Sequence, residues 1–164
     1  MITKILLLLL LSCPFLSNAE AALQAVGKTR FSVLWFDIYD ATLFSEDGRH
    51  QSNQAPLKLS LDYRRDILAK HLLEETRKQW KTVPGINEQR RQFWLKELEK
   101  IWPDISEGDR LSFILHTDDR GEFLLFEQSL GIIESPGFAR AFINIWIGPN
   151  SQYPRQAKKL IGES

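Results

Sequence analysis

A chain of 164 residues can enclose one sizeable core, and 21 Lys and Arg against 21 Asp and Glu leave it with no net charge. Because those charges are interspersed, no basic face offers itself to nucleic acid and no acidic tail to a basic partner. A single cysteine and three separated histidines speak against disulfide chemistry and against a zinc centre of ordinary type.

Lys4, the apolar run from Ile5 to Leu11, and Ser17-Asn18-Ala19 ahead of Glu20 form a charged start, a hydrophobic stretch and a small-x-small cleavage site. Residues 1–19 are therefore expected to be a secretory signal peptide, removed on export to the periplasm, with one domain over residues 20–164. The run is too short for a permanent membrane helix. A weaker competing signal, Leu10-Leu11-Ser12-Cys13, would instead make Cys13 a lipid anchor.

Residues 30–45, RFSVLWFDIYDATLFS, contain no Gly or Pro and are rich in β-branched and aromatic side chains, so they are expected to form one long strand or two joined by a bulge. The parity of apolar positions breaks at Trp35-Phe36, which places a kink near Phe36-Asp37. Arg30, Asp37, Tyr39 and Asp40 are the polar groups of this apolar element, and buried polar groups need partners or a ligand. For Asp37 and Asp40 a capping or turn role outweighs acid–base work. For Tyr39 the ordinary alternative to a ligand is a hydroxyl bonded to a backbone carbonyl.

A turn at Asp47-Gly48 and a loop over residues 51–55 lead into Leu57 to Tyr63, which alternates strictly and predicts a half-buried strand. Asp66 stands at an N-cap position, and Leu68, Leu72, Thr76 and Trp80 recur every four residues, predicting an amphipathic helix over residues 67–81. Asn87 caps a second helix whose stripe is Phe93 or Trp94, Leu98, Ile101 and Trp102, ended by Pro103. Leu111, Phe113 and Leu115 begin a hairpin that turns at Asp118 to Gly121 and returns over residues 122–127, with residues 129–133 a further strand or its continuation. Ser135-Pro136 predicts the start of a third helix, lined by Phe138, Phe142, Ile145 and Trp146, and a short fourth helix covers residues 154–161. Trp80, Trp94, Trp102 and Trp146 all fall at core spacing. The sum is an α+β architecture of five to seven strands with three or four helices grouped in runs. No G-x-S-x-G, Walker or G-x-G-x-x-G signature occurs, and nothing in the pattern calls for a cofactor or a metal.

The segments FDIYDATLF, PLKLSLDYRRDI, WPDISEGDRL, SLGIIESPGFARAFINIWIGP and the terminal KKLIG resemble, in this order, the chalcone isomerase-like proteins that bacteria export. The resemblance spans nearly the whole mature chain. It implies a curved antiparallel sheet with a layer of helices on one face and a ligand cleft between them. Plant enzymes of that fold close a flavanone ring by adding a phenolate to an enone. Related non-enzymatic members bind fatty acids, holding the anionic group with a strand Arg and a following Thr or Tyr. By order along the chain the resemblance points to Arg30 and Tyr39 as ligand-binding residues, which converge if the chain bulges near Phe36.

Three functions follow as expectations. The first is a periplasmic, non-catalytic binder of a fatty-acid-like or other amphiphilic anion in an apolar cleft with one cation and one hydroxyl. The second is an intramolecular lyase acting on a phenolic enone, with Arg30 steadying the phenolate and Tyr39 polarising the carbonyl. The third is a ligand-free interaction protein of the cell envelope. The expected partner is a small amphiphilic or aromatic ligand, with no nucleic acid and no integral membrane span.

Overall fold

A computed structural model of the chain describes residues 22–163; the expected signal peptide and Cys13 lie outside the described residues. Six strands, β1 (Gln24–Val33), β2 (Phe36–Ser45), β3 (Leu57–Tyr63), β4 (Arg110–Leu115), β5 (Gly121–Leu125) and β6 (Gln128–Ile133), form one open antiparallel sheet in sequence order. The four helices are α1 (Ala69–Lys81), α2 (Glu88–Ile101), α3 (Phe138–Ile147) and α4 (Pro154–Leu160). The fold is α+β, as the grouping of elements predicts, with α1 and α2 inserted between neighbouring strands β3 and β4.

Residues 30–45, expected as one long strand or two joined by a bulge, are corrected to the two arms of a hairpin. A two-residue turn, Leu34-Trp35, joins β1 to β2, with Leu34 at φ 56° in the left-handed region that Gly or Asn ordinarily occupies. With no Gly, Asn or Asp at the turn, the sequence carries no sign of it. The predicted bulge is present: Phe31 pairs with Tyr39 but Ser32 pairs with Asp37, so Ile38 is the extra residue.

Directly opposed residues share a face of a sheet and successive residues alternate, so the register sorts the side chains. Phe31, Tyr39 and Tyr63 face inward with Ala41, Leu43, Leu59 and Leu61. Arg30, Asp40, Asp62 and Arg110 are joined across four strands on the opposite face. The single-residue bulge turns Asp37 toward that outer face, where it meets Arg30.

The strict alternation of β3 and the Asn87 cap, whose side chain accepts from Arg90 N at 2.8 Å, stand as the sequence predicts. In α2 Trp94 is the buried aromatic and Phe93 the exposed one. Two helix starts are corrected. Asp66 accepts from Glu107 N instead of capping α1, Ile67 exchanges backbone hydrogen bonds with Ile105, and Asp104 Oδ1 accepts from Ala69 N at 2.8 Å, so the helix begins two residues late. Ser135 likewise caps nothing, because its hydroxyl accepts from Trp94 Nε1 at 2.8 Å; α3 begins at Phe138 behind Gly137, at φ 77°.

Packing is unequal across the inner face. Toward β4 and β5 it is filled by Phe113, Phe123, Phe138, Phe142 and Trp102, whose rings meet at centroid distances of 4.6 to 6.3 Å. Over β2 and β3 the helix above is α1, which rests mainly on α2 and α3 and offers Leu72, Thr76 and Gln79 where an aromatic would be needed to close the gap. A cavity remains between sheet and helices.

Candidate functional site

That cavity has a volume of about 330 Å³, within the range of small-molecule sites. Phe31, Tyr39, Leu61 and Tyr63 form its floor on the sheet, α1 gives one wall, and Phe142, Ile145 and Trp146 of α3 give another. Ser32, Val33, His71, Glu75 and Tyr153 also line it, and the exposure of Ser32 and Val33 at the end of β1 and of His71 and Glu75 on α1 places the opening between them, beside the β1–β2 turn.

The polar groups set deepest in the wall are the hydroxyls of Tyr39, Tyr63 and Thr76, the Gln79 amide and the indoles of Trp102 and Trp146. Tyr39 Oη accepts a hydrogen bond from Trp146 Nε1 at 3.2 Å, and it donates to none of the backbone carbonyls of the described residues, the ordinary acceptors for a buried tyrosine. The Tyr39 and Tyr63 rings lie 5.4 Å apart. Neither hydroxyl has an acceptor for its proton among the described residues. Burial pushes both phenols well above their ordinary range; the Trp146 hydrogen bond only partly offsets this at Tyr39, and the Tyr39 charge reinforces it at Tyr63. Both therefore stay protonated and act as neutral donors. Trp102 Nε1, in the same wall, is buried without an acceptor among the described residues.

Glu75 is the sole carboxylate among the lining residues, and they include no Lys or Arg. Its side chain is half exposed and accepts from Gln79 Nε2 at 2.9 Å, so it belongs to the rim. Tyr153 is also raised, first by burial and then by the negative charge of Glu75.

Arg30 does not share this site. Its Nε donates to Asp40 Oδ1 at 2.8 Å and its Nη1 to Asp37 Oδ2 at 2.9 Å, on the outer face of the sheet, while Arg64 reaches the other oxygen of Asp40 at 2.6 Å. The predicted convergence of Arg30 and Tyr39 is thus corrected. Even-numbered Arg30 and odd-numbered Phe31, the partner of Tyr39, point to opposite faces, and the bulge lies beyond both in β2. Asp37 and Asp40 act as counter-ions to Arg30, a structural role.

Four residues of the site, Tyr63, His71, Glu75 and Gln79, were not singled out as site residues from sequence, and for Trp146 only the core role was. Tyr63 ends the alternating strand in phase with Leu57, Leu59 and Leu61, which already placed it inward. His71, Glu75 and Gln79 recur every four residues along α1, a polar stripe beside the apolar one. Trp146 was legible as core, but its indole N–H bond to Tyr39, 107 residues away in sequence, was not.

A family model described as chalcone isomerase-like matches residues 15–159. The chain belongs to the chalcone isomerase-like family. Within reach of it lies an uncharacterized protein of Haemophilus influenzae, 35% identical over 141 residues, covering 86% of this chain and 69% of that protein. The crystal structure of an Arabidopsis thaliana fatty-acid binding protein superposes with a TM-score of 0.64 over 85% of this chain and 87% of that one, at 11% identity. That likeness establishes the shared fold: a chalcone isomerase-like sheet with its helical layer. No helix among the described residues is long and apolar enough to cross a membrane.

Proposed function

We propose that the protein is a non-catalytic binder of one small amphiphile, held with its apolar chain in the cavity and a hydrogen-bond-accepting group against Tyr39 and Tyr63. The observation that carries this is a largely apolar hollow whose buried polar groups are neutral donors. The fatty-acid binding protein of the same fold supports a ligand with a long apolar part. The wall changes the expected head group. A bare carboxylate held against Tyr39 and Tyr63 would have no Lys or Arg of the lining as counter-ion, the one histidine, His71, being an exposed residue, and its burial there would cost several kcal/mol. The ligand proposed is therefore an uncharged acceptor, such as an ester, an enone or a protonated fatty acid, in place of the anion that an inward Arg30 would have held. Export to the periplasm is part of this reading and rests on the leader-like residues 1–19.

The isomerase reading relied on Arg30 beside a substrate phenolate, and that guanidinium is committed to Asp37 and Asp40 on the other face. Competition binding to delipidated protein tests the proposal, comparing a long-chain methyl ester with the matching carboxylate at neutral pH. The ester is expected to bind more tightly, Tyr39→Phe to weaken it about fivefold through one lost hydrogen bond of about 1 kcal/mol, and Arg30→Ala to leave it unchanged. Absence of binding by either ligand, or loss of binding in Arg30→Ala alone, would remove the proposal.

A further inference from the structure

The hairpin that borders the cavity mouth ends in four consecutive apolar residues, all turned to solvent: Val33 at 53%, Leu34 at 85%, Trp35 at 94% and Phe36 at 55% exposure. The other four tryptophans are 0 to 8% exposed, so Trp35 is an outlier within its own chain. Such contiguous apolar exposure marks an interaction site in a folded protein.

Its surroundings indicate the partner. Val33 belongs both to the tip and to the cavity wall, which makes the tip continuous with the opening. The meander brings two further exposed apolar residues to the same edge: Leu68, which follows the end of β3, and Phe126, in the β5–β6 turn that bonds to Arg110 O at the start of β4. Arg65 lies with its guanidinium 4.6 Å above the Phe36 ring, and it joins none of the ion pairs with which Arg30 and Arg64 occupy Asp37 and Asp40. A cation beside a protruding Trp and Phe suits the phosphate and interfacial layers of a bilayer, where tryptophan's amphipathic ring is favoured. The tip is a two-residue turn offering on the order of 500 Å² of apolar surface, short of the ~800 Å² per partner that a stable protein interface buries.

We propose that residues 33–36 dock the protein on a phospholipid surface, with the cavity mouth facing the bilayer. This rests on the amphiphile-binding reading, since a poorly water-soluble ligand would then pass between bilayer and cavity without crossing water.

The test needs no ligand. Purified protein is sedimented with vesicles of equal parts phosphatidylcholine and phosphatidylglycerol, and iodide quenching of tryptophan fluorescence is read in parallel. Co-sedimentation and shielding of the exposed Trp35 are expected with vesicles, and at least a tenfold weaker vesicle affinity for Leu34→Ser/Trp35→Ser, whose near-UV circular dichroism from the buried aromatics should be preserved. Wild-type protein that stays in the supernatant, or a double variant that sediments equally well, overturns the proposal. So does shielding of Trp35 without vesicles together with a doubled mass in solution, which would make a second copy the partner. Uptake of detergent-dispersed ester, measured separately, keeps the two readings apart: uptake without vesicle binding refutes the docking proposal alone, and vesicle binding without uptake supports docking while refuting the carrier.

Discussion

Asp40 shows how one side chain can hold a sheet face together. Its carboxylate accepts from Arg30 on β1 and from Arg64 just beyond β3, so a single acid ties three successive segments. The Arg30 hydrogen bond, opposed in part by desolvation and helped by Arg64, holds its carboxyl down to about 2 from an ordinary 3.8. A depressed acid contributes stability that is complete above its unfolded value and is lost as pH falls through the folded one. After allowing for solvent screening, Asp40 is expected to account for on the order of 1–2 kcal/mol, lost between about pH 4 and pH 2. Urea unfolding of wild type and Asp40→Asn at pH 6 and pH 2.5 checks this. The variant should be less stable at pH 6, with the difference reduced by more than half at pH 2.5; a difference that persists undiminished at the lower pH would contradict the assignment. The same clamp explains why Arg30, a reasonable ligand cation from its position in an apolar strand, is spoken for.

At the scale of elements, α4 depends on a missing side chain. Gly27, at a bulge in β1, lets the C-terminal turn of α4 approach so closely that a Cβ there would lie 2.1 Å from Lys159 O and 2.6 Å from Leu160 O. Backbone carbonyls cannot rotate aside as a flexible side chain would. Gly27→Ala is therefore expected to cost about 3 kcal/mol, seen as a lowered urea midpoint, with faster amide exchange in residues 154–160. Unchanged exchange there would show that α4 does not rest on this contact.

Elements whose signals are local were legible. The alternation of Leu57 to Tyr63 needed only period two, and Asn87 capped α2 because nothing else competed for its side chain. Signals failed where tertiary contacts claimed the same atoms: Ser135 gave its hydroxyl to Trp94 and Asp66 its carboxylate to Glu107, so both helix starts moved. The hairpin turns at Leu34-Trp35 and Phe126-Glu127 adopt positive φ without glycine, and turn chemistry read from residue type has no purchase there.

For the molecule as a whole, the site is a place where packing stops. Aromatic rings fill the inner face beneath α3, and the same face is left hollow beneath α1, where Thr76 satisfies its hydroxyl on Leu72 O and Gln79 bonds Glu75. A hollow is a difference between facing surfaces from distant segments, so no window of sequence displays it. Tyr39 could be singled out as a polar group in an apolar strand, whereas its partnership with Tyr63 and Trp146 depended on register and helix docking. On the proposed function, the outer face, polar and cross-linked by ion pairs, holds the sheet, and the inner face, apolar with protonated phenols, receives the ligand.

Intermolecular nuclear Overhauser effects from a long-chain ester to the protein test this division most directly. The account predicts contacts from the ester's carbonyl end to the Tyr39 and Tyr63 rings and from its chain to Phe142, Ile145 and Trp146. Contacts to Arg30, Asp62 or Arg110 in their place would put the ligand on the outer face and contradict it.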